Sequence, residues 1–346
     1  MPDKVTHTVR FEPVGVEMEI EEGETVLNAA FRQGVTLMHG CKEGQCAACK
    51  SVLREGDIEM MKYSTFALSD AEREQDKILL CRTQAYSDLV VELLNYDEYL
   101  LSRSIPVRSY AGTIRAVESL THDIRQLKIE TAQPLKFWAG QYVDITIPDT
   151  GVTRSFSMAN PPSVQRQLEF IIKVYPQGAF SSLLRDKLRA GDEITVTGPY
   201  GTCLRHEGRD STMVLAGGGS GMAPLLSILT DLVESGEQRP VRFFYGARTK
   251  RDLFMVERIE ELGSRLHDFR FIPVLSGPDI EAEWTGETGF VHEIIRKHLQ
   301  NEPLEAEADA YSCGPPPMID AVLPVLQMGG VEPENIHFDK FTAAVR

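Results

Sequence analysis

Hydrophobic and polar positions near the start of the chain alternate in short runs. Residues 5–12 (Val-Thr-His-Thr-Val-Arg-Phe-Glu) and 14–21 (Val-Gly-Val-Glu-Met-Glu-Ile-Glu) keep a period of two on either side of Pro13, the pattern of a hairpin. From Thr25 the period lengthens, so that Val26, Leu27, Ala30 and Phe31 share one helical face and Gly34 supplies a C-terminal stop. Ser51 to Ile58, Lys77 to Arg82 and Asp88 to Leu94 read as strands, and Ser69 caps a short polar helix. The prediction is a small mixed sheet crossed by one helix.

Tyr96 to Arg108 has mixed character and reads as a linker ending near Pro106. Six strand-like segments follow: Ala111–Val117, Ile124–Glu130, Tyr142–Ile147, Thr153–Met158, Leu168–Val174 and Glu193–Thr197. Short strands at this spacing predict an antiparallel barrel. Ser181 can cap a short helix between the last two, and Gly198-Pro199-Tyr200-Gly201 reads as a tight turn closing the barrel. From Ser211 apolar runs at Met213–Ala216, Val241–Tyr245, Phe269–Leu275 and Ala310–Ser312 alternate with helical periods at Ala223–Ser235, Phe254–Leu262, Val291–Leu299 and Met318–Met328. Alternation of that kind predicts a doubly wound parallel sheet. The fold class is multidomain, α+β then β then α/β, with expected domains 1–98, 99–208 and 209–346.

At 346 residues, 42% hydrophobic and 25% charged, the chain has the composition of a soluble globular protein. Met1-Pro2-Asp3-Lys4 leads into a polar strand rather than an apolar signal region, so a cytoplasmic location is expected. Thr212 to Thr230 carries no charge, but the glycines and Pro224 inside it make it a strand, a loop and a helix start, not a membrane span. The net charge is −15, and residues 1–98 hold 10 Lys+Arg against 19 Asp+Glu, a net of −9. Acidity of this order disfavours nucleic acid and suits a basic protein partner, although charge alone is equally accounted for by solubility.

Four of the six cysteines form one pattern. Cys41, Cys46 and Cys49 stand as C-x4-C-x2-C, and Cys81 follows after 31 residues. This is the plant-type spacing of four thiolates around a [2Fe–2S] cluster. Small residues at Gly40, Gly44, Ala47 and Ala48 let the backbone approach the sulfides and point N–H groups at a net negative cluster. A zinc ribbon would need a second C-x2-C where Cys81 stands alone, and a disulfide framework would need an exported chain. Cys203 and Cys313 are expected to be reduced thiols.

Other segments carry weaker signals. Arg154-Ser155-Phe156-Ser157 could clamp a diphosphate, stack on a flavin ring and reach its edge, and Gly178-x-x-Ser181 offers a helix N-terminus to a phosphate. Ala216-Gly217-Gly218-Gly219-Ser220-Gly221-Met222-Ala223-Pro224 fits neither the P-loop nor G-x-G-x-x-G, yet it sits at a strand-to-helix turn where a pyrophosphate binds. Cys313-Gly314-Pro315-Pro316-Pro317-Met318 places a cysteine at the carboxyl end of a strand, either in the ligand crevice or as a small buried hydrophobe. Val291-His292-Glu293 lacks the second histidine of H-E-x-x-H, since Arg296 stands there.

Together these segments, with Tyr245-Gly246-Ala247-Arg248, resemble the ferredoxin–NADP reductase superfamily carrying an N-terminal plant-type ferredoxin. More narrowly, the chain resembles the NADH-dependent reductase components of soluble bacterial multicomponent diiron monooxygenases. The resemblance implies a β-grasp ferredoxin domain, an FAD-binding barrel and a nicotinamide-nucleotide domain. It implies that Arg154, Ser155, Phe156, Ser157, Gly178 and Ser181 hold FAD. Gly217, Gly218, Gly219, Ser220, Gly221, Arg248, Cys313 and Gly314 would hold NADH, with Ser157 and Cys313 flanking the hydride path as catalytic residues. Phe156 and Ser220 stand where the superfamily more often has Tyr and Thr, changes that keep an aromatic face and the glycine turn.

A nicotinamide gives up two electrons as hydride and a ferredoxin cluster accepts one at a time, so a flavin between them sets the order NADH, FAD, [2Fe–2S], external acceptor. The two Glu-x-x-His motifs of the diiron type are absent, since Glu334-x-x-His337 stands alone, so substrate oxidation is expected on a separate oxygenase. A reductase for a Rieske dioxygenase or a deoxysugar-forming enzyme shares this domain order and is the alternative.

Overall fold

The structure, a computed structural model, describes residues 5–277, 283–305 and 307–342, which fall into two compact units, Met1–Arg108 and Ser109–Arg346. Met1 to Lys4, on which the expectation of no export signal rests, lie outside the described residues.

In the first unit the expected hairpin forms from β1 (Thr6–Glu12) and β2 (Val16–Glu21), with Phe11 opposite Val16. Period two puts Val9, Phe11, Met18 and Ile20 into the core. Helix α1 (Val26–Gln33) starts at Thr25, whose hydroxyl accepts the Asn28 N–H at 3.3 Å, and stops at Gly34 with φ 75°. Val26, Leu27, Ala29, Ala30 and Phe31 of α1 are buried. There follow β3 (Lys50–Glu55), β4 (Ile58–Met60), α2 (Asp70–Arg73), β5 (Lys77–Leu79), β6 (Thr83–Ala85), β7 (Leu89–Leu93) and α3 (Glu98–Ser102). The main sheet has the order β2-β1-β7-β3-β5 with β1 and β7 parallel, and β4 and β6 form a separate pair. Ser69 caps α2 through a reciprocal bond with Glu72.

One expected strand is split and another is cut short. Gly56, at φ 106°, ends β3 before β4 begins. After β5 the Arg82 N–H turns back onto the Leu79 carbonyl at 2.8 Å, which leaves Cys81 on a turn rather than in a ladder. The stretch expected as a linker contains α3, and its Ser104 hydroxyl accepts the Thr36 N–H at 3.0 Å.

The second unit opens with β8 (Arg108–Ser119), β9 (Ile124–Thr131), β10 (Tyr142–Ile147), β11 (Val152–Ser157) and β12 (Gln167–Lys173), then α4 (Ala179–Asp186) and β13 (Glu193–Tyr200). Their order is β11-β10-β13-β8-β9-β12, and a bridge between Met158 and Phe170 joins the two edges, so the sheet curls into the expected barrel. Gly198 to Tyr200 corrects one expectation. These residues are the end of β13, where Gly198 and Pro199, between the pairs Thr197–Asp144 and Tyr200–Tyr142, face the single residue Val143. A bulge of this kind accommodates Pro199, which has no N–H to give the ladder.

Beyond the barrel come β14 (Met213–Gly218), α5 (Met222–Ser235), β15 (Val241–Ala247), α6 (Val256–Gly263), β16 (Phe269–Leu275), β17 (Glu287–Thr288), α7 (Val291–Asn301), β18 (Asp309–Gly314), α8 (Pro316–Met328) and β19 (Ile336–Lys340). The strands pair in parallel in the order β17-β16-β15-β14-β18-β19. Apolar clusters cover both faces, so strands such as β14 are buried at every position. Among the described residues no helix is long and apolar enough to cross a membrane.

Candidate functional site

Cys41, Cys46 and Cys49 sit on the loop between α1 and β3, and the turn after β5 brings Cys81 to them. The four thiols are free and converge as two hydrogen-bonded pairs, Cys41 with Cys46 and Cys49 with Cys81, while the Gly44 N–H bonds to the Cys81 sulfur. Backbone N–H groups point inward: those of Gln45 and Glu43 reach the Cys41 sulfur at 3.1 and 3.4 Å, and that of Cys41 reaches the Cys46 sulfur at 3.3 Å. The Cys46 thiol, followed by these amides, holds the Cys41 thiol down to about 5. Gly44, at φ 71°, is forced by closeness as well as conformation, because a Cβ there would lie 2.9 Å from Tyr63 and 3.0 Å from the Arg82 side chain. Buried Arg82 Nε has no hydrogen-bond partner in the structure. Four convergent sulfurs, inward amides and a buried guanidinium nitrogen left without a partner fit a net negative iron–sulfur cluster.

On the barrel, Arg154 and Phe156 share one face of β11, and the Phe156 ring packs 4.8 Å from Phe180 in the first turn of α4. That turn has no side-chain cap. Arg154 donates to the Thr153 carbonyl at 2.6 Å and has no carboxylate partner among the described residues. A guanidinium and an uncapped helix N-terminus beside an aromatic face suit an anionic flavin nucleotide. Ser155 and Ser157 point to the other face: Ser155 donates to Asp144 Oδ1 at 2.5 Å, and Ser157 is buried opposite Tyr142. Ser181 corrects a second expectation. Gly178, not Ser181, precedes the helix, and the Ser181 hydroxyl bonds to both the N–H and the carbonyl of Tyr175, at 3.1 and 3.0 Å. One turn inside the helix, its hydroxyl ties the preceding loop down instead of capping.

The nucleotide motifs meet at the topological switch point, where β14 lies between β15 and β18. Gly217 is in register with Cys313, and the chain then makes a single turn of 3-10 helix through Gly219, Ser220 and Gly221 into α5, again with no side-chain cap. A Cβ on Gly221 would lie 2.0 Å from the Cys313 carbonyl oxygen, and one on Gly218 would lie 2.8 Å from Met318 Sδ. The crevice is thus narrow and lined by backbone. Arg248 is exposed just past β15. Cys313 is fully buried with its sulfur 3.9 Å from that of Cys203, and this contact together with burial pushes its thiol up, so it stays neutral.

Other residues position this site without a motif to announce them. The Tyr245 hydroxyl donates to the Gly219 carbonyl at 2.9 Å and so fixes the glycine turn. Asn160, in the loop after β11, accepts the Ser227 hydroxyl on its carbonyl at 2.7 Å, which ties the barrel to α5. An alternating apolar strand shows that Tyr245 is buried, but not that its hydroxyl meets a loop 26 residues earlier.

Three family models match the chain: a 2Fe-2S iron-sulfur cluster binding domain at residues 9–86, an oxidoreductase FAD-binding domain at 111–204 and an oxidoreductase NAD-binding domain at 215–323. The chain is 47% identical over 343 residues to the propane 2-monooxygenase reductase component of Gordonia sp. (strain TY-5), covering 98% of each chain. It is 36% identical to the phenol 2-monooxygenase reductase component of Pseudomonas sp. (strain CF600), covering 98% of this chain and 96% of that one. Among solved structures, the cytochrome P450 reductase GcoB of Amycolatopsis matches with TM-score 0.86 and 30% identity over 98% of this chain and 100% of its own. The chain belongs to this family of NAD-, FAD- and [2Fe–2S]-dependent reductases that serve as the electron-transfer components of oxygenases.

Proposed function

We propose that the protein delivers electrons from NADH to the diiron oxygenase component of a soluble hydrocarbon or phenol monooxygenase, acting in the cytoplasm through domains 1–98, 99–208 and 209–346. Bound FAD would supply the chemistry that converts a two-electron donor, NADH, into one-electron delivery to a [2Fe–2S] cluster. Cys41, Cys46, Cys49 and Cys81 would hold the cluster. Arg154 and the amides following Gly178 would bind the flavin diphosphate and Phe156 would cover a ring face, while Ser155 and Ser181, held by Asp144 and Tyr175, would position that set, with Ser157 beside them on the buried face of the strand. Gly217 to Gly221, Arg248 and Gly314 would seat the nucleotide, and the neutral Cys313 thiol would border the nicotinamide without placing a charge beside it.

The observation that carries this reading is the convergence of the glycine turn and Cys313 at one switch point, in the same compact unit as Arg154 and Phe156. The diiron assignment leans on the higher identity to a propane monooxygenase reductase than to a P450 reductase, 47% against 30%. Cluster thiolates that need a reducing compartment support the cytoplasm.

The test is reconstitution of the holoprotein with a diiron propane oxygenase component and, in parallel, with a Rieske dioxygenase. The expected result is at least tenfold faster reduction of the diiron protein, with kcat/KM higher for NADH than for NADPH. Faster reduction of the Rieske protein would overturn the partner assignment, and a preference for NADPH would overturn the nucleotide assignment.

A further inference from the structure

Arg82 directly follows Cys81, and its backbone is held on both sides. Its N–H donates to the Leu79 carbonyl at 2.8 Å, and its own carbonyl accepts the Met61 N–H at 2.8 Å. The side chain therefore starts from a fixed point. It packs against Gly44, midway along the loop that carries Cys41, Cys46 and Cys49, where a Cβ would lie 3.0 Å from Arg82 Cγ and 3.2 Å from Nε. Gly44 is itself buried and gives its N–H to the Cys81 sulfur. The stem of Arg82 is thus seated between the single ligand after β5 and the loop that holds the other three.

Nothing in the chain answers this guanidinium. Arg82 Nε is buried without a hydrogen-bond partner, and no carboxylate pairs with Arg82 among the described residues. Other cations of the same unit are accommodated: Lys50 pairs with Glu72 at 2.6 Å, and Lys62 stands exposed in water. A buried donor left unsatisfied costs free energy, so a fold that keeps one calls for a negative group beside it. The field of Arg82 already reaches the ligands. The Cys81 thiol is lowered first by its hydrogen bond with Cys49, then by the Gly44 N–H, and also by the charge of Arg82.

We propose that Arg82 sets the reduction potential of the [2Fe–2S] cluster, its fixed positive charge holding that potential up. The inference rests on the reading that the four cysteines ligate such a cluster. One electron leaves the reduced flavin and one arrives at the cluster, whose net charge becomes one unit more negative. A cation seated against the ligand loop stabilises the added charge, and net charge is one of the levers that tune these centres. At an effective dielectric of about 20, a unit charge about 10 Å from another changes such an equilibrium by on the order of tenfold. Lys62, surrounded by water and salt, is screened and contributes far less.

The experiment is an anaerobic redox titration of the full-length holoprotein with mediators, read from the visible and electron paramagnetic resonance signals of the cluster, with iron analysis on every sample. Arg82→Gln removes the charge, Arg82→Lys keeps it, and Lys62→Gln removes a neighbouring exposed charge. Arg82→Gln should shift the one-electron equilibrium about tenfold towards the oxidised cluster, a potential lower by about 59 mV. Arg82→Lys should stay within about threefold of wild type, because the charge remains while its geometry changes. Lys62→Gln should stay within about twofold. An unchanged potential in Arg82→Gln would overturn the role. A shift in Arg82→Lys or Lys62→Gln equal to that in Arg82→Gln would overturn it too, since packing or diffuse surface charge would then be the cause. Loss of iron from either Arg82 variant would also overturn it, because the residue would then serve assembly of the cluster. Wild-type protein without two irons per chain would overturn the cluster reading itself, an outcome that iron analysis separates from the others.

Discussion

Gly221 touches the carbonyl oxygen of Cys313 across the switch point, so closely that a Cβ on residue 221 would lie 2.0 Å from it. Both sides of that contact are backbone and cannot rotate away. Gly221→Ala should therefore displace the first turn of α5 from the nucleotide and lower kcat/KM for NADH roughly 100-fold, with the flavin and cluster spectra retained. Gly219 is the control. It has φ 57° and nothing within 4 Å of an added Cβ, so Gly219→Ala should cost only the left-handed penalty of about 1–2 kcal/mol in stability. Steady-state ferricyanide reduction on both variants makes the comparison.

The four candidate cluster cysteines lie wholly within the first unit and the candidate flavin and nucleotide motifs within the second. Cys81→Ala should abolish the cluster while leaving NADH-dependent ferricyanide reduction within a few fold of wild type. Iron analysis together with that assay checks it, and two irons per chain in the variant would refute the ligand set.

Much of this architecture was legible because it rests on local rules. Period-two runs predicted β1, β2 and the barrel strands, and the apolar runs from Met213 predicted four of the six parallel strands. Two strands escaped notice for physical reasons. β17 is two residues long, and β19 (Ile-His-Phe-Asp-Lys) is a sheet edge whose half-polar sequence has little apolar signal. Cysteine spacing singled out four candidate cluster ligands because thiolates at fixed intervals have few other uses, and the fold brings the four sulfurs together. The flavin residues were harder to read. Ser155 and Ser181 look equivalent to Ser157 in sequence, but only the folded chain shows that Asp144 and Tyr175 already engage them. The Gly198 to Tyr200 stretch has a turn's composition and a strand's geometry because a bulge absorbs its proline.

Arg239 and Asp309 form an ion pair at 2.5 Å with both side chains fully buried, and the Tyr311 hydroxyl and Ser211 carbonyl complete its hydrogen bonds. Asp309→Ala would leave a buried guanidinium unpaired and should destabilise the second unit by about 3–5 kcal/mol. Replacing both charges, as Arg239→Met with Asp309→Leu, should recover most of that loss. Urea unfolding of the single and double variants, followed by flavin release, checks the prediction.

His337 stacks on His206 and Tyr311, with ring centroids at 4.4 and 5.0 Å, and its buried Nε2 has no hydrogen-bond partner in the structure. Burial, and then the electrostatic influence of the neighbouring His206 and Arg209, lowers its pKa to about 3. The unfolded chain binds this proton near pH 6.5, so the neutral ring contributes stability that is complete above pH 6.5 and is lost as pH falls towards 3, by up to about 1.4 kcal/mol per pH unit. His337→Phe keeps the stack and removes the proton site. Its urea midpoint should fall less between pH 7.5 and pH 5 than that of wild type, and an unchanged dependence would show that His337 does not titrate on unfolding.

The last prediction separates steps inside the chain from the step between proteins. Residues 1–98 carry a net charge of −9, and Glu43 stands exposed beside Cys41 in the cluster loop, so long-range attraction to a basic oxygenase surface should accelerate encounter. Attraction between exposed charges weakens as the Debye length shrinks from about 10 Å at 0.1 M salt to about 3 Å at 1 M. Transfer from NADH to the cluster joins groups on one tethered chain and does not depend on diffusional encounter. Across a salt series, the bimolecular rate of oxygenase reduction should fall at least tenfold while the rate of cluster reduction by NADH changes by less than twofold. Glu43→Gln should flatten the salt dependence of the first rate and leave the second alone. Parallel decline of both rates, or decline of neither, would mean that the acidity of the first unit serves solubility and not docking.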